Sequence, residues 1–322
     1  MNRCATLFAI LLSLMLSCKG GPESRSIEPD HVPKELNRPK VSFTFDDGIT
    51  QDILNYPFKQ WNQMILSSLD KAGVKSVFFV TGANKSDSKG KYLLQSWNDK
   101  GHSIANHTFS HPNFHSEDLS IKDFEKELLD TDTIISGYNN YQKLFRFPYL
   151  KEGASREKID GIRNVLSQYG YRNGYVTIDA SDWYINGRLI RKIKKLGIDK
   201  AEVPKFKEYY LEHIMDRANY YETLSYELTG RHINHTLLLH HNLTSTLFLG
   251  DLIARFKEEG WEIIDAPTAF KDKIFETLPS RVPAGESLIW SMAKESGKYE
   301  NSLRYPAEDG GYEESRMDSL GL

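Results

Sequence analysis

Short apolar runs alternate along this chain with longer stretches in which apolar residues recur at helical spacing. The runs "KVSFTF", "KSVFFVT", "HSIANH", "LFRFPY", "GYVTID", "HTLLLH" and "WEIIDA" read as strands. Between them "FKQWNQMILSSLDKAG", "KYLLQSWNDKG", "SIKDFEKELLDTDTIISGY", "REKIDGIRNVLSQYG", a long stretch from about Arg188 to Leu228, and "LGDLIARFKEEG" read as helices. Several end on glycine, as helix C-termini commonly do. Strands and helices in strict alternation predict a parallel sheet with the helices outside. Seven such units suit a distorted (β/α)7-type barrel better than a closed eightfold one, with an open doubly wound sheet as the alternative.

The ends break this pattern. "MNRCATLFAILLSLMLSCKGG" has a basic residue, an apolar stretch from Ala5 to Leu16, and then small residues. That is the form of a secretory signal, and the apolar stretch is too short to span a bilayer. The chain's two cysteines, Cys4 and Cys18, both lie here. The segment therefore reads as a lipoprotein-type signal over residues 1–17, with Cys18 becoming the lipidated first residue. Plain secretion into the medium or periplasm is the alternative. Cleavage before Cys18 leaves no second cysteine for an intrachain disulfide. Residues 18–39 are polar and proline-containing and read as a tether. Residues 40–277 form the expected folded domain. Residues 278–322, rich in Gly, Glu, Ser and Tyr, form a tail expected to pack on the barrel through "GESLIWSMAKES".

Composition narrows the function. The 322 residues are 39% hydrophobic, the formal net charge is -3, and the pI is about 6.4. No basic surface of the kind nucleic acids require is evident, so nucleic-acid binding is not expected. A monomer is the expected state.

The unusual polar residues gather at the C-terminal ends of the predicted strands, the face that carries active sites in β/α barrels. Asp46 and Asp47 close the first strand; His107 and His111 follow the third. Arg146 and Tyr149 close the fourth, Asp179, Asp182 and Trp183 follow the fifth, and His240 and His241 close the sixth. In "HTFSH" two histidines four residues apart can face one point from a helical turn or tight loop. Two histidines and one carboxylate supply three ligands and leave a position open, as a catalytic zinc-type site needs. This accounts for the adjacent aspartates. One can bind the metal, whose charge relieves their repulsion, while the other serves as a base; Gly48 lets the chain turn just after them.

The motifs "TFDDG", "HTFSH", "RFPY", "DASDW" and "LLLHH", in this order from about Lys40 to Ala269, resemble those of the metal-dependent polysaccharide deacetylases, carbohydrate esterase family 4. The resemblance implies a distorted β/α barrel that hydrolyses acetyl groups from an acetylated oligo- or polysaccharide, N- or O-linked. It implies Asp47, His107 and His111 as ligands of a divalent metal: zinc first, with cobalt, nickel or manganese as alternatives. It implies Asp46 as general base, Arg146 as the base's partner, and the Tyr149 backbone N–H as a donor to the oxyanion. Trp183 would wall the acetyl pocket. His240 would be the general acid, with Asp182 orienting it and raising its pKa. The family places its acid directly after the Leu run, which favours His240 over its neighbour His241. The stretch 184–239 is long for this part of the family and offers a further wall to the cleft. Within it, the basic segment "RLIRKIKKLG" reads as a solvated barrel helix, with an anionic glycan or lipid contact as the alternative. Such a protein would sit in a bacterial cell envelope, bound to the membrane only through the lipid on Cys18. Competing readings are a related amidohydrolase acting on a small amide or cyclic imide, and a non-catalytic glycan-binding lipoprotein.

Overall fold

A computed structural model describes residues 38–322 apart from Tyr305, Ala307 and Glu308. The signal, Cys18 and the tether to residue 37 lie outside the described residues. In chain order the strands are β1 (Lys40–Asp47), β2 (Val77–Val80), β3 (Ser103–Asn106), β4 (Tyr141–Phe145), β5 (Lys151–Gly153), β6 (Arg172–Asn173), β7 (Asn234–His240), β8 (Glu262–Ile263) and β9 (Ala284–Gly285). The helices are α1 (Phe58–Ala72), α2 (Ser88–Asp99), α3 (Ile121–Ile135), α4 (Arg156–Gln168), α5 (Asp182–Leu196), α6 (Val203–Thr229), α7 (Leu243–Glu258), α8 (Ala266–Ala269), α9 (Leu288–Ser296) and α10 (Gly311–Ser319).

The main sheet is parallel, in the order β6-β4-β3-β2-β1-β7, with β8 paired to the first residues of β1. It curls into a half-barrel with helices around it, the architecture expected from the strand count. From Asn173 the chain crosses the remaining opening, and Ile178 bridges to Leu237 of β7. Alternation of side chains decides what faces where. On β1, Val41, Phe43 and Phe45 are buried in the main apolar core. There Phe43 meets Phe256 of α7 and Phe45 meets Trp97 of α2. The intervening Ser42, Thr44 and Asp46 face the other way. The Ser42 and Thr44 hydroxyls donate to the carbonyls of His235 and Leu237 on β7, both at 2.9 Å.

Three elements differ from the sequence pattern. The strand expected at "LFRFPY" lies earlier, because Pro148 has no N–H to continue a ladder and restricts Phe147 before it; Pro148–Leu150 forms a single 3-10 turn. "GYVTID" is not a continuous strand. Gly174 lies so close to the Phe79 ring that a Cβ there would sit 2.4 Å from it, and the chain bends away from β4 at this point. The long helical stretch is two helices, α5 and α6. It breaks at Gly197, whose φ is 80°, and restarts with Pro204 in the first turn, where a missing N–H costs nothing. The tail adds β9, antiparallel to β5, and α9, which packs against α6. No described helix is long and apolar enough to cross a membrane.

Candidate active site

Strand alternation separates the two aspartates. Asp46 continues the inward column of Ser42 and Thr44 and is 2% exposed. Asp47, with φ 80°, leaves the strand conformation and turns its carboxylate toward the histidines. Its Oδ1 lies 3.7 Å from His107 Nε2 and 3.6 Å from His111 Nε2. The ligand atoms of Asp47, His107 and His111 all fall within 4.8 Å of one another, a spacing that could hold a metal ion.

The donor set fits a metal in protonation as well as in distance. His107 Nδ1–H donates to the Arg146 carbonyl at 2.8 Å, which leaves the Nε2 lone pair facing Asp47. Burial, reinforced by His111, lowers the His107 pKa to about 3, so the ring is neutral; burial also lowers His111. Burial alone would raise Asp47, but neighbouring cationic groups, His240 first, outweigh it and hold the carboxyl below its usual range. "HTFSH" is a tight loop rather than a helical turn, with Thr108 at φ 65° and His111 at φ 63°. Glu127 of α3 pins this loop, accepting from the Phe109 and Ser110 amides at 2.8 and 2.6 Å and from the Ser110 hydroxyl at 2.8 Å.

Asp46 has a different partner. Arg146 Nη1 donates to its Oδ1 at 2.6 Å and to the Thr44 hydroxyl at 2.9 Å, while Nε donates to the Gly174 carbonyl at 2.9 Å. The guanidinium lies over the Phe79 ring at 3.8 Å. The free Oδ2 points to the cluster, 3.7 Å from His107 Nε2. Burial raises the Asp46 pKa to about 6, although Arg146 pulls the other way.

On the opposite side His240 Nδ1–H donates to Asp182 Oδ1 at 2.5 Å. Asp182 Oδ2 accepts from the His240 amide at 2.9 Å and from Asn242 Nδ2 at 3.1 Å. Burial would lower the His240 pKa, but the Asp182 charge and hydrogen bond outweigh it and raise it to about 10. His241, one residue on, faces away from the cleft. It is fully buried, its Nε2 is 2.9 Å from Asn62 Oδ1, and its ring lies 4.2 Å from that of Trp61. The structure thus separates the adjacent histidines as it separates the aspartates.

Asp46, Asp47, His107, His111 and His240 line one cleft of about 310 Å³ together with Tyr149 and Trp183. The Tyr149 ring stands edge-on to His111 at 4.6 Å. Asp179 is buried behind the cleft, and burial, with Glu286 next, raises its pKa to about 7. Sequence reading missed the apolar floor. Leu238, two residues before His240 and therefore inward-facing, clusters with Leu150 and Val176. It also missed Lys85, buried beside Asp47 with its ammonium donating to the Ala83 carbonyl at 3.2 Å. Leu238 was legible from alternation; Lys85 and Glu127 carry no local signal.

Taken together, fold and site define a β/α barrel protein with an Asp-His-His candidate metal centre set between a buried Asp–Arg pair and a His–Asp pair. Residues 34–174 match the family model described as Polysaccharide deacetylase. It is 31% identical over 114 residues to a peptidoglycan-N-acetylglucosamine deacetylase of Bacillus cereus, covering 35% of this chain and 37% of that protein. It is 25% identical over 169 residues to one of Listeria monocytogenes, covering 52% and 32%. The chain therefore spans about a third of the length of either relative. A carbohydrate esterase family 4 pseudoenzyme of Bacillus anthracis shares the fold, with a TM-score of 0.50 at 19% identity over 73% of this chain and 66% of that one.

Proposed function

We propose that this protein removes acetyl groups from an N-acetylglucosamine-containing glycan of the cell envelope and releases acetate. The observation that carries the reading is the convergence of a base with its partner, an acid with its partner, and three ligand atoms in one cleft with an apolar floor. A non-catalytic glycan-binding protein would need none of these pairings. The relatives bearing the peptidoglycan deacetylase name favour N-acetylglucosamine over O-acetylated polysaccharide.

A divalent cation held by Asp47, His107 and His111, zinc by the donor set, would polarise the acetyl carbonyl and acidify a water. The remaining work falls to the chain. Asp46, its Oδ1 held by Arg146, takes a proton from the attacking water at Oδ2. Its pKa of about 6 suits a base working near neutrality. The Tyr149 backbone N–H stabilises the negative charge developing on the acetyl oxygen. His240, cationic through Asp182, donates from Nε2 to the departing sugar nitrogen. Leu150 and Leu238, with the Trp183 wall, enclose the acetyl methyl.

The test is acetate release from N-acetylglucosamine oligomers, peptidoglycan and O-acetyl xylan, with and without chelator. Release from the first two, abolished by chelation and restored by zinc, is the expected result. Activity that survives chelation with the protein free of metal would remove the metal-dependent reading.

The same reading proposes export, with Cys18 as the lipid-bearing residue and the protein monomeric. Cys18→Ser expressed in a bacterium should move the protein from the membrane fraction to the soluble one. Membrane association that persists, with no lipid at the mature N-terminus by mass spectrometry, would leave secretion or another anchor.

A further inference from the structure

The family match stops at residue 174, yet a short piece of the C-terminal tail reaches three loops of the site. The Ala284 carbonyl is 2.8 Å from His115 Nε2, in the loop that follows His111. The Glu286 amide donates to the Leu150 carbonyl at 2.9 Å, and the Leu288 amide donates to the Val176 carbonyl at 2.8 Å. Gly285 is pressed against the turn so closely that a Cβ would lie 2.1 Å from the Leu150 carbonyl oxygen. The Glu286 carboxylate forms an ion pair with Lys151, and both side chains are largely buried.

The turn held in this way is strained. Tyr149 and Leu150 have φ of 55° and 54°, consecutive non-glycine residues in the left-handed region. A side chain with a Cβ is disfavoured there, and such a conformation persists only where the surroundings over-determine it. The Leu150 amide bonds locally to the Phe147 carbonyl at 3.0 Å, but the Leu150 carbonyl is held from the tail.

We propose that residues 284–286 are a strap that fixes the Tyr149–Leu150 turn, with Glu286 as the positioning residue that locks it through Lys151. The strap aims the Tyr149 N–H into the cleft and seats Leu150 in its floor. This rests on the deacetylase reading for its kinetic consequence, though not for its geometry. Loss of the lock leaves the ligands, the base and the acid in place and loosens only the donor to the acetyl oxygen. The effect falls on kcat rather than on KM, because that donor acts on charge formed in the transition state.

The experiment compares the full chain with Glu286→Ala and with Glu286→Gln, which keeps the volume and covers the case that the alanine variant does not fold. Lys294→Ala, which removes an exposed ion pair of α9 with Glu300, is the control. Acetate release from an N-acetylglucosamine oligomer, metal content, melting temperature and hydrogen exchange of the peptide 147–153 are measured. The expected result is a kcat lower by about 10-fold or more, with KM and metal content unchanged and faster exchange confined to 147–153. Unchanged exchange there would overturn the strap. Unchanged kcat despite faster exchange would overturn its positioning role. A fall in kcat with exchange faster across the whole chain would assign Glu286 to general stability and overturn the proposal as well. A wild-type protein that releases no acetate would refute the deacetylase reading alone, since exchange at 147–153 still decides whether the strap holds the turn.

Discussion

Asp46→Asn is expected to keep its metal and lose about 10²-fold or more in turnover, whereas Asp47→Asn is expected to lose both. The difference follows from one step in the backbone. Asp46 lies in the strand and points inward to Arg146, which occupies its Oδ1 and leaves Oδ2 to accept a proton. An asparagine there preserves shape and leaves all three ligands in place, but cannot accept the water's proton. Asp47 has turned out of the strand to face His107 and His111. An asparagine at that position replaces the single anionic ligand by a neutral amide and leaves two neutral imidazoles. Elemental analysis beside the acetate-release rate reads both outcomes. If Asp46→Asn loses metal while Asp47→Asn retains it, the assignments are reversed; if both keep metal and rate, the pair is not a catalytic centre.

Asp182→Asn is expected to shift the alkaline limb of the pH–rate profile to lower pH and to lower kcat by up to about 10²-fold above neutrality. A general acid must hold its proton, and the carboxylate of Asp182, 2.5 Å from Nδ1, is the chief reason His240 holds one up to about pH 10. A cation bound at the neighbouring ligands would push the other way and bring the wild-type limb below that value. Removing the carboxylate charge lowers the pKa further. The protonated fraction then falls first at high pH, and the loss of rate grows as pH rises. Asn242 and the His240 amide keep a hydrogen-bonding partner at position 182, so the ring stays in place. The measurement is kcat/KM against pH for both proteins. An equal loss at every pH would mean that Asp182 orients the ring without setting its proton affinity, and an unchanged limb would remove His240 as the acid.

The sequence by itself determined the class of fold, because strand and helix periods differ and their alternation is visible without any contact. It also determined that polar groups gather at strand ends, since an apolar run closed by charged residues is local information. Alternation grouped Ser42, Thr44 and Asp46 into one column of β1 and Thr236, Leu238 and His240 into one column of β7. It could not say which residue of each adjacent pair faces the cleft, because a period of two has no absolute phase until a neighbouring strand or core supplies one. The tertiary structure set that phase. It buried His241 among Trp61, Phe78 and Trp97, and a φ of 80° turned Asp47 toward the histidines. Contacts distant in sequence were beyond local reading for the same reason. Arg146 meets Asp46 across 100 residues, Asp182 meets His240 across 58, and Glu286 meets Lys151 across 135. Each depends on where the curled sheet and the returning tail bring the chain, and no short stretch of sequence encodes that distance.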